Sequence, residues 1–306
     1  MRAVVEKMFW FVVRLILRLR YRIRVDGLEQ LRALTGPVLV LPNHPCYIDP
    51  PTVLSHLYRA IQVPLRPLVY SGTYHVPFLL PLMKLIRAFE VPDLSAQSQS
   101  AAAQAQQLID TVVEGIEGGN SFIIYPSGRL QRSNLEKIGS NRLVYEVVTR
   151  CPTVTVVLVR TRGLWGSLWG CARTGQTPDL TYSVLEALGW LFSGLFFFLP
   201  KRNVHLHIET LSRDSLPTES REAFNRGLED WFNVDAPEVP EFIRYSWLFG
   251  PSEGSYQLAT TKNIDVDAIR SKTIEQVNEL VASFLKRDLS DHERLAATKL
   301  EELGMD

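Results

Sequence analysis

Three apolar runs constrain the fold of this chain more than any other feature of the sequence. They are “VLVLP” (38–42), “SFIIYP” (121–126) and “TVTVVLVR” (153–160), and each is apolar almost throughout. Such runs are typical of strands buried on both faces. Segments of helical character separate them from residue 20 to about 210, and alternation of this kind predicts an α/β domain. We expect a central, largely parallel mixed sheet flanked by helices, with a small helical C-terminal segment.

Other segments fill in this pattern. A long helix is predicted over about 95–116, and a second helix over “LEKIGSNRLVYEVVTR” (135–150). “RYRIRV” (20–25) alternates, which predicts a strand with its arginines on one face, and “VPLRPLVY” (63–70) is a further short strand. “NVHLHIET” (203–210) also alternates, and we expect it to be an edge or half-exposed strand.

Composition divides the chain into four parts. Residues 1–19 form a predicted amphipathic helix rich in basic side chains, and residues 20–235 form the α/β domain. Pro, Gly, Ser and Thr cluster over 236–265, which predicts a linker. Residues 266–306 return to a helical pattern. “ALGWLFSGLFFFLP” (187–200) is uncharged but shorter than the ~20 residues of a membrane-spanning helix, so we expect no such helix.

Charge and cysteine content exclude several classes of protein. Lys+Arg and Asp+Glu both total 33, so the net charge of zero gives no general case for a nucleic-acid partner. The three cysteines include no CxxC pair, which argues against a disulfide framework and against a zinc site. A reducing cytosolic compartment is the default for such a chain.

The stretch “NHPCYID” (43–49) places His44 and Asp49 directly after the first buried strand. Ligand sites in open α/β sheets lie at the carboxyl ends of the strands. An aspartate that accepts the proton of one imidazole nitrogen leaves the other nitrogen as a base near neutral pH. Such a base can activate a hydroxyl for attack on an acyl group. The spacing taken alone is more often ordinary polar loop chemistry than a catalytic pair, so it needs further context.

A second loop, “YPSGRL” (125–130), follows the next buried run. Gly128 and Arg129 in this loop suit a phosphate, since backbone N–H groups and a guanidinium can bind it together. “EKIGS” (136–140) and “CPTVTVVLVRTRG” (151–163) come after it.

These four blocks, in this order and at about this spacing, resemble the glycerolphosphate and lysophospholipid acyltransferase family over residues 20–210. In that family a His-x4-Asp motif is followed by Phe-Pro-Glu-Gly-Thr-Arg, a Lys-x-Gly block and a Pro-rich apolar strand. The resemblance implies that His44 is the general base, that Asp49 orients it, and that Ser127, Gly128 and Arg129 bind the phosphate of the acceptor.

The reaction implied by the resemblance is transfer of a fatty acyl group to the hydroxyl of a lysophospholipid or glycerol phosphate. The donor is acyl-coenzyme A or acyl-acyl carrier protein, and no metal or bound cofactor is required. Membrane lipid is then both acceptor and surface, on the cytoplasmic side of a membrane. The chain departs from the family motif at Ser127, where the family has glutamate. Ser127 is compatible with a changed acceptor, with weakened activity or with a simple turn residue.

Several alternatives remain open. The chain is alternatively a catalytically idle lipid- or carrier-binding module, or a hydrolase that releases free fatty acid. The N-terminal helix either anchors the chain on anionic lipid or packs on its own domain, and 187–200 either contacts membrane or is a core helix. Residues 266–306 resemble the start of an acyl carrier domain, which in such carriers continues to a serine beyond “LG-x-D”. An ordinary amphipathic helix is the alternative.

Overall fold

A computed structural model describes residues 2–58, 60–61, 65–77, 79–92, 99–193, 201–211 and 215–241. The predicted acyl carrier segment (266–306) lies outside these residues, as do residues 242–265 of the predicted linker and the ends of two predicted elements (95–98 and 194–200).

Seven strands form one mixed sheet in the order β1-β7-β6-β2-β5-β3-β4. The strands are β1 (Tyr21–Asp26), β2 (Val38–Pro42), β3 (Leu65–Tyr70), β4 (Phe89–Val91), β5 (Ser121–Ile123), β6 (Thr155–Arg162) and β7 (Arg202–Leu211). All neighbouring pairs are parallel except β6 and β7. The predicted α/β architecture is therefore confirmed.

Eight α-helices accompany the sheet in the described part of the chain. They are α1 (Arg2–Arg20), α2 (Asp49–Leu57), α3 (Ser71–Tyr74), α4 (Leu80–Leu85), α5 (Gln99–Glu117), α6 (Leu143–Arg150), α7 (Leu180–Ser193) and α8 (Arg221–Phe232). Two 3₁₀ helices, Leu28–Ala33 and Cys171–Arg173, lie in the connections.

The central strands bury alternate residues in two separate cores. Leu39 and Leu41 of β2 belong to one core, with apolar side chains of α5, α6 and α8. Val38 and Val40 belong to the other, with side chains of α1 and α2. All five residues of β2 are buried, as the continuous apolar run predicts. Burial of each such side chain contributes roughly 1.5–3 kcal/mol, and the sheet is thereby fixed between two helical layers.

Two predicted elements differ from the structure. The helix predicted over 135–150 is present only from Leu143 to Arg150, because residues 136–141 form a loop bonded to side chains of α8 and to Asn233, which follows α8. β7 is not an edge strand, since it pairs with both β1 and β6. Its alternating burial is nevertheless that of a half-exposed strand.

The first residues of the predicted linker pack on the domain. The Glu238 carboxylate accepts the N–H of Gly163 (2.7 Å) and of Trp165 (3.3 Å). The buried Arg202 side chain donates to the carbonyls of Gly163 and of Glu241. Residues 236–241 are therefore bonded to the loop after β6.

Helix α1 packs on α2, and its outward face is apolar. Trp10 and Leu17 are buried, and Arg14 donates to the Ser55 carbonyl (2.6 Å). The exposed large side chains are Val5, Met8, Phe11, Val12, Leu15 and Ile16. The helix is amphipathic as predicted, but Arg14 faces the domain. In the part of the chain that the structure describes, no helix is both long and apolar enough to cross a membrane.

Candidate active site

The loop between β2 and α2 carries His44 at the carboxyl end of the sheet, and Asp49 begins α2. β2 lies between β5 and β6 and runs parallel to both, so the loops that follow these three strands meet there. Asn43 fixes the end of β2, because its amide group both donates to the Thr161 carbonyl (3.1 Å) and accepts the Thr161 N–H (2.7 Å). The loop therefore begins from a rigid position.

His44 and Asp49 form a direct hydrogen bond, with Nδ1 of the imidazole 2.7 Å from Oδ2 of the carboxylate. Asp49 is completely buried, whereas the His44 side chain keeps 15% of its exposure. Asp49 is the first residue of α2, and two prolines follow it. A carboxylate is favoured at a helix N-terminus, and proline is well tolerated in a first helical turn. The sequence “DPP” therefore places the carboxylate beside the imidazole.

Tyr125 is a third member of this group that the sequence analysis did not identify. It follows β5, and its hydroxyl donates to Oδ1 of Asp49 (2.7 Å). Its ring lies against the His44 imidazole, with a distance of 4.1 Å between ring centroids. Asp49 thus has one oxygen on His44 and the other on Tyr125. The only signal in the sequence is the position of Tyr125 at the end of a buried run beside the predicted phosphate loop.

Burial and hydrogen bonding have opposite effects on the pKa of Asp49. Burial raises the pKa of this carboxyl, whereas the nearby His44 and the hydroxyl of Tyr125 lower it. The pKa of Tyr125 lies well above its ordinary value because the ring is buried and the Asp49 carboxylate is adjacent. Tyr125 therefore remains protonated and can act as the donor to Asp49 across the whole physiological range of pH.

The imidazole nitrogen opposite Asp49 is available for chemistry. Among the residues that the structure describes, none is hydrogen-bonded to Nε2 of His44, and the side chain is partly exposed. Cys46 in the same loop is buried, and burial raises the pKa of its thiol to about 12. Cys46 is thus a packed side chain, since a reactive cysteine requires a thiolate.

The second loop places its three predicted residues at the surface next to this group. Gly128 adopts a left-handed conformation (φ 64°), which favours glycine, and its N–H donates to the Tyr125 carbonyl (2.9 Å). The Ser127 hydroxyl donates to the Arg129 carbonyl (2.9 Å). Both donors are used within the turn, and the phosphate-binding role of Ser127 and Gly128 stays a prediction. The Arg129 side chain is exposed and forms no ion pair with a described residue.

The segment after this loop also contacts His44. The N–H of Gln131 donates to the His44 carbonyl (2.7 Å), and the His44 N–H donates to Oε2 of Glu136 (3.3 Å). Glu136 is buried, and the sequence analysis did not single it out. Burial raises the pKa of Glu136, against a lowering by Ser127 and by the His44 N–H. Among the described residues, no cluster of three or more His, Cys, Asp or Glu could hold a metal ion.

Comparison with known proteins finds a family match over the part of the chain that contains this site. Residues 22–159, which include His44, Asp49 and the 125–129 loop, match the family model described as Acyltransferase. The match supports an acyltransferase domain in this part of the chain. The chain is also similar to the crystal structure of the 1-acyl-sn-glycerophosphate (LPA) acyltransferase, PlsC, from Thermotoga maritima, at 15% identity and a TM-score of 0.49. That similarity covers 76% of this chain and 79% of the other chain. No curated protein matches the chain.

Proposed function

We propose that this chain transfers a fatty acyl group from an acyl thioester to the hydroxyl of a lysophospholipid or glycerol phosphate. The observation that carries the proposal is the buried Asp49 carboxylate 2.7 Å from Nδ1 of a partly exposed His44. The carboxylate favours the tautomer that has its proton on Nδ1, which leaves the lone pair of Nε2 available as a general base.

The reaction needs one proton carrier and no protein nucleophile. Nε2 of His44 takes the proton of the acceptor hydroxyl as the oxygen forms a bond to the thioester carbonyl carbon. The carbon–sulfur bond of the tetrahedral intermediate then breaks, and the thiolate recovers the proton from the imidazolium. Asp49 stabilises the imidazolium between these steps. The products are the ester and the free thiol, of coenzyme A or of acyl carrier protein.

The surroundings of His44 favour transfer to a substrate hydroxyl over hydrolysis through an acyl-enzyme. A Ser–His or Cys–His mechanism requires a nucleophile within hydrogen-bond distance of the base. In the described part of the chain no such side chain is bonded to Nε2, and the Cys46 thiol is buried with its raised pKa.

Exposed basic side chains beside the site suit a phosphate-bearing acceptor. Arg129, Arg132 and Lys137 are all exposed on the segment that follows β5. Arginine can make two hydrogen bonds to one phosphate. With the N–H of Gly128 and the hydroxyl of Ser127 occupied in the turn, the Arg129 guanidinium is the group we assign to the acceptor phosphate.

The exposed apolar face of α1 is the surface we assign to the membrane, with the protein peripheral on its cytoplasmic side. Six large apolar side chains are exposed there, and Lys7 and Arg18 are also exposed on the same helix. Amphipathic helices of this kind lie in the plane of the lipid head groups. α7 also exposes Tyr182, Leu185 and Phe192.

Vesicle sedimentation compares these surfaces. Replacing Met8, Phe11 and Leu15 with serine should abolish most binding to anionic vesicles, because these side chains are at least half exposed and their loss removes the apolar contact. The matched control replaces Tyr182, Leu185 and Phe192 of α7 with serine. If only the α7 variant lost binding to vesicles, α7 and not α1 would be the helix that contacts the membrane.

The direct test of the proposed activity uses purified protein, two thioester donors and a panel of acceptors. Acyl-coenzyme A and acyl-acyl carrier protein are each mixed with lysophospholipids or glycerol 3-phosphate, and both free thiol and lipid product are measured. We expect thiol release that depends on the acceptor, equals the ester formed and disappears in His44→Ala. Release of free fatty acid without an acceptor would identify a hydrolase. Binding without turnover would identify an idle lipid- or carrier-binding module.

A further inference from the structure

The main chain of His44 is held on both sides by the segment that follows the 125–129 loop. Its carbonyl accepts the N–H of Gln131 at 2.7 Å, and its N–H donates to the carboxylate of Glu136 at 3.3 Å. With Nδ1 bonded to Asp49, three hydrogen-bonding groups of His44 are fixed. The Gln131 contact is made by main chain and the Nδ1 contact by Asp49. The contact to the His44 N–H is made by the side chain of Glu136, which is not a member of the group of His44, Asp49 and Tyr125.

Glu136 occupies a position that is unfavourable for a carboxylate. The residue is 2% exposed. Its Oε2 accepts the His44 N–H, whereas Oε1 has no hydrogen-bond partner among the described residues. The adjacent Ser127 hydroxyl donates to the Arg129 carbonyl, and it also lowers the pKa of Glu136. A buried carboxyl with one oxygen left unpaired is destabilising relative to an apolar side chain of the same size. Fold stability therefore does not explain a glutamate at this position.

The main chain of Glu136 is itself held by Asn233, the residue that follows α8. The Glu136 N–H donates to Oδ1 of Asn233 (2.9 Å), and Nδ2 of Asn233 donates to the Glu136 carbonyl (2.9 Å). Glu229, four residues before Asn233, accepts the N–H groups of Ile138 and Gly139. Asn225, eight residues before Asn233, donates to the carbonyls of Gly139 and Asn141. Residues at this spacing share one face of a helix. The loop that carries Glu136 is thus bonded to a rigid element.

We infer that Glu136 is a positioning residue, which fixes the His44 main chain so that the imidazole stays in register with Asp49 during turnover. The catalytic part of this inference rests on the proposed function. The physical reason is that the rate is sensitive to the position of a catalytic group, since a misplacement of about 1 Å can lower the rate by ~10². Supporting hydrogen bonds that lock the residues of a site prevent such displacements.

Amide exchange of His44 tests the contact independently of activity. The chain has six histidines, so selective ¹⁵N-histidine labelling gives six amide signals, and His44→Ala identifies the one of interest. Loss of one hydrogen bond to a carboxylate corresponds to about tenfold in an equilibrium constant. We therefore expect about tenfold faster exchange of the His44 amide in Glu136→Ala, and near-wild-type exchange in Glu136→Gln, whose side-chain oxygen still accepts the bond.

Glu238→Ala is the matched control. Glu238 is another glutamate that accepts main-chain N–H groups, at Gly163 and Trp165, and burial raises its pKa too. Its removal should change stability without changing His44 exchange. The inferred contact between Glu136 and the His44 N–H would be wrong if the amide of His44 exchanged at the wild-type rate in Glu136→Ala. It would also be wrong if that amide exchanged faster by the same factor in the Glu238→Ala control.

Two-substrate kinetics test whether the contact matters for the reaction. Glu136→Ala should lower kcat about 10- to 100-fold with KM for donor and acceptor nearly unchanged, and Glu136→Gln should recover most of the loss. If Glu136 only stabilised the fold, Glu136→Ala would lower the fraction of folded protein, which unfolding experiments measure. At equal concentrations of folded protein its kcat would then match that of the wild type, and Glu136→Gln would have no loss to recover. A full kcat in folded Glu136→Ala would overturn the positioning role. An inactive wild-type protein would instead refute the proposed function, and the exchange experiment would still decide whether Glu136 fixes His44.

Discussion

The two loops that form the site differ in how firmly their side chains are held. In the β2–α2 loop, Asp49 is fully buried and both of its oxygens are hydrogen-bonded, and His44 is fixed through its ring and its main chain. In the β5 loop, Gly128 and Arg129 are exposed, and the Arg129 guanidinium has no ion-pair partner among the described residues. Proton transfer needs preorganised groups, whereas an exposed guanidinium can adapt to a head group. We therefore expect the first loop to control kcat and the second loop to control acceptor affinity.

A second histidine–aspartate pair shows that the contact alone does not make a site. Nε2 of His205 on β7 lies 2.5 Å from Oδ2 of Asp26, but both side chains are about half exposed. Water competes with such a pair, and its interaction is worth at most about 1 kcal/mol. Burial of Asp49 is what distinguishes the His44 pair, because the carboxylate is then shielded from water.

The largest effect should follow removal of the base in the fixed loop. His44→Ala should lower kcat by about 10²–10⁴, the usual contribution of a general base. The variant should also lose some stability, because Oδ2 of the buried Asp49 loses its partner, so turnover is compared at equal concentrations of folded protein. His205→Ala is the matched control, since it removes a histidine from an exposed aspartate. Wild-type turnover in folded His44→Ala would eliminate the assignment of the base.

Replacement of the buried carboxylate should have the next largest effect. Asp49→Asn keeps the size of the side chain but removes the charge that stabilises the imidazolium, so we expect kcat to fall about 10²-fold. KM should change little, since Asp49 is fully buried and does not meet either substrate. The measurement is steady-state kinetics at equal concentrations of folded protein. A variant that keeps its kcat and loses only substrate affinity would contradict this role.

A smaller effect should follow loss of the hydroxyl that connects the two loops. Tyr125→Phe removes the donor to Oδ1 of Asp49 and keeps the ring beside His44. A hydrogen bond to a carboxylate lowers its pKa, so its loss should raise the pKa of Asp49. We expect about a tenfold lower kcat and an acid limb of the pH–rate profile that moves to higher pH. An acid limb that moves to lower pH would show that Tyr125 does not stabilise the ionised carboxylate.

The smallest effect should come from the exposed loop. Arg129→Lys keeps the charge but loses the planar fork, so KM for a phosphate-bearing acceptor should rise about fivefold, with little change in kcat. Arg22→Lys, an exposed arginine on β1, is the control for a general charge effect. A change confined to KM for the thioester donor would place the acceptor phosphate elsewhere.

The buried parts of the molecule were the easiest to predict from sequence. The runs that form β2 and β6 are apolar enough to indicate strands buried on both faces, and His44 and Asp49 follow at positions where parallel strands expose a site. The helical pattern over 135–142 misled the prediction, because side chains of α8, about 90 residues later, hold that segment as a loop. A single sequence does not show contacts at such separation.

The same limit applies to the members of the site that the sequence analysis missed. Tyr125 reaches Asp49 across 76 residues and Glu136 reaches His44 across 92. Neither has a local pattern that indicates a partner. Ser127 raised a question from sequence alone, since the motif it resembles has glutamate there, and the structure places the buried carboxyl of Glu136 beside it. The direction of α1 was equally hidden, because Arg14 is turned inwards and donates to the Ser55 carbonyl of α2, about 40 residues later.

Parallel two-substrate kinetics on Asp49→Asn and Arg129→Lys test the division between the two loops most directly. Both variants are assayed with one thioester donor and one phosphate-bearing acceptor, each varied over its full range. We predict that Asp49→Asn lowers kcat and leaves both KM values near those of the wild type, whereas Arg129→Lys raises only the KM of the acceptor. The reverse result, a lower kcat in Arg129→Lys with a raised acceptor KM in Asp49→Asn, would contradict the account.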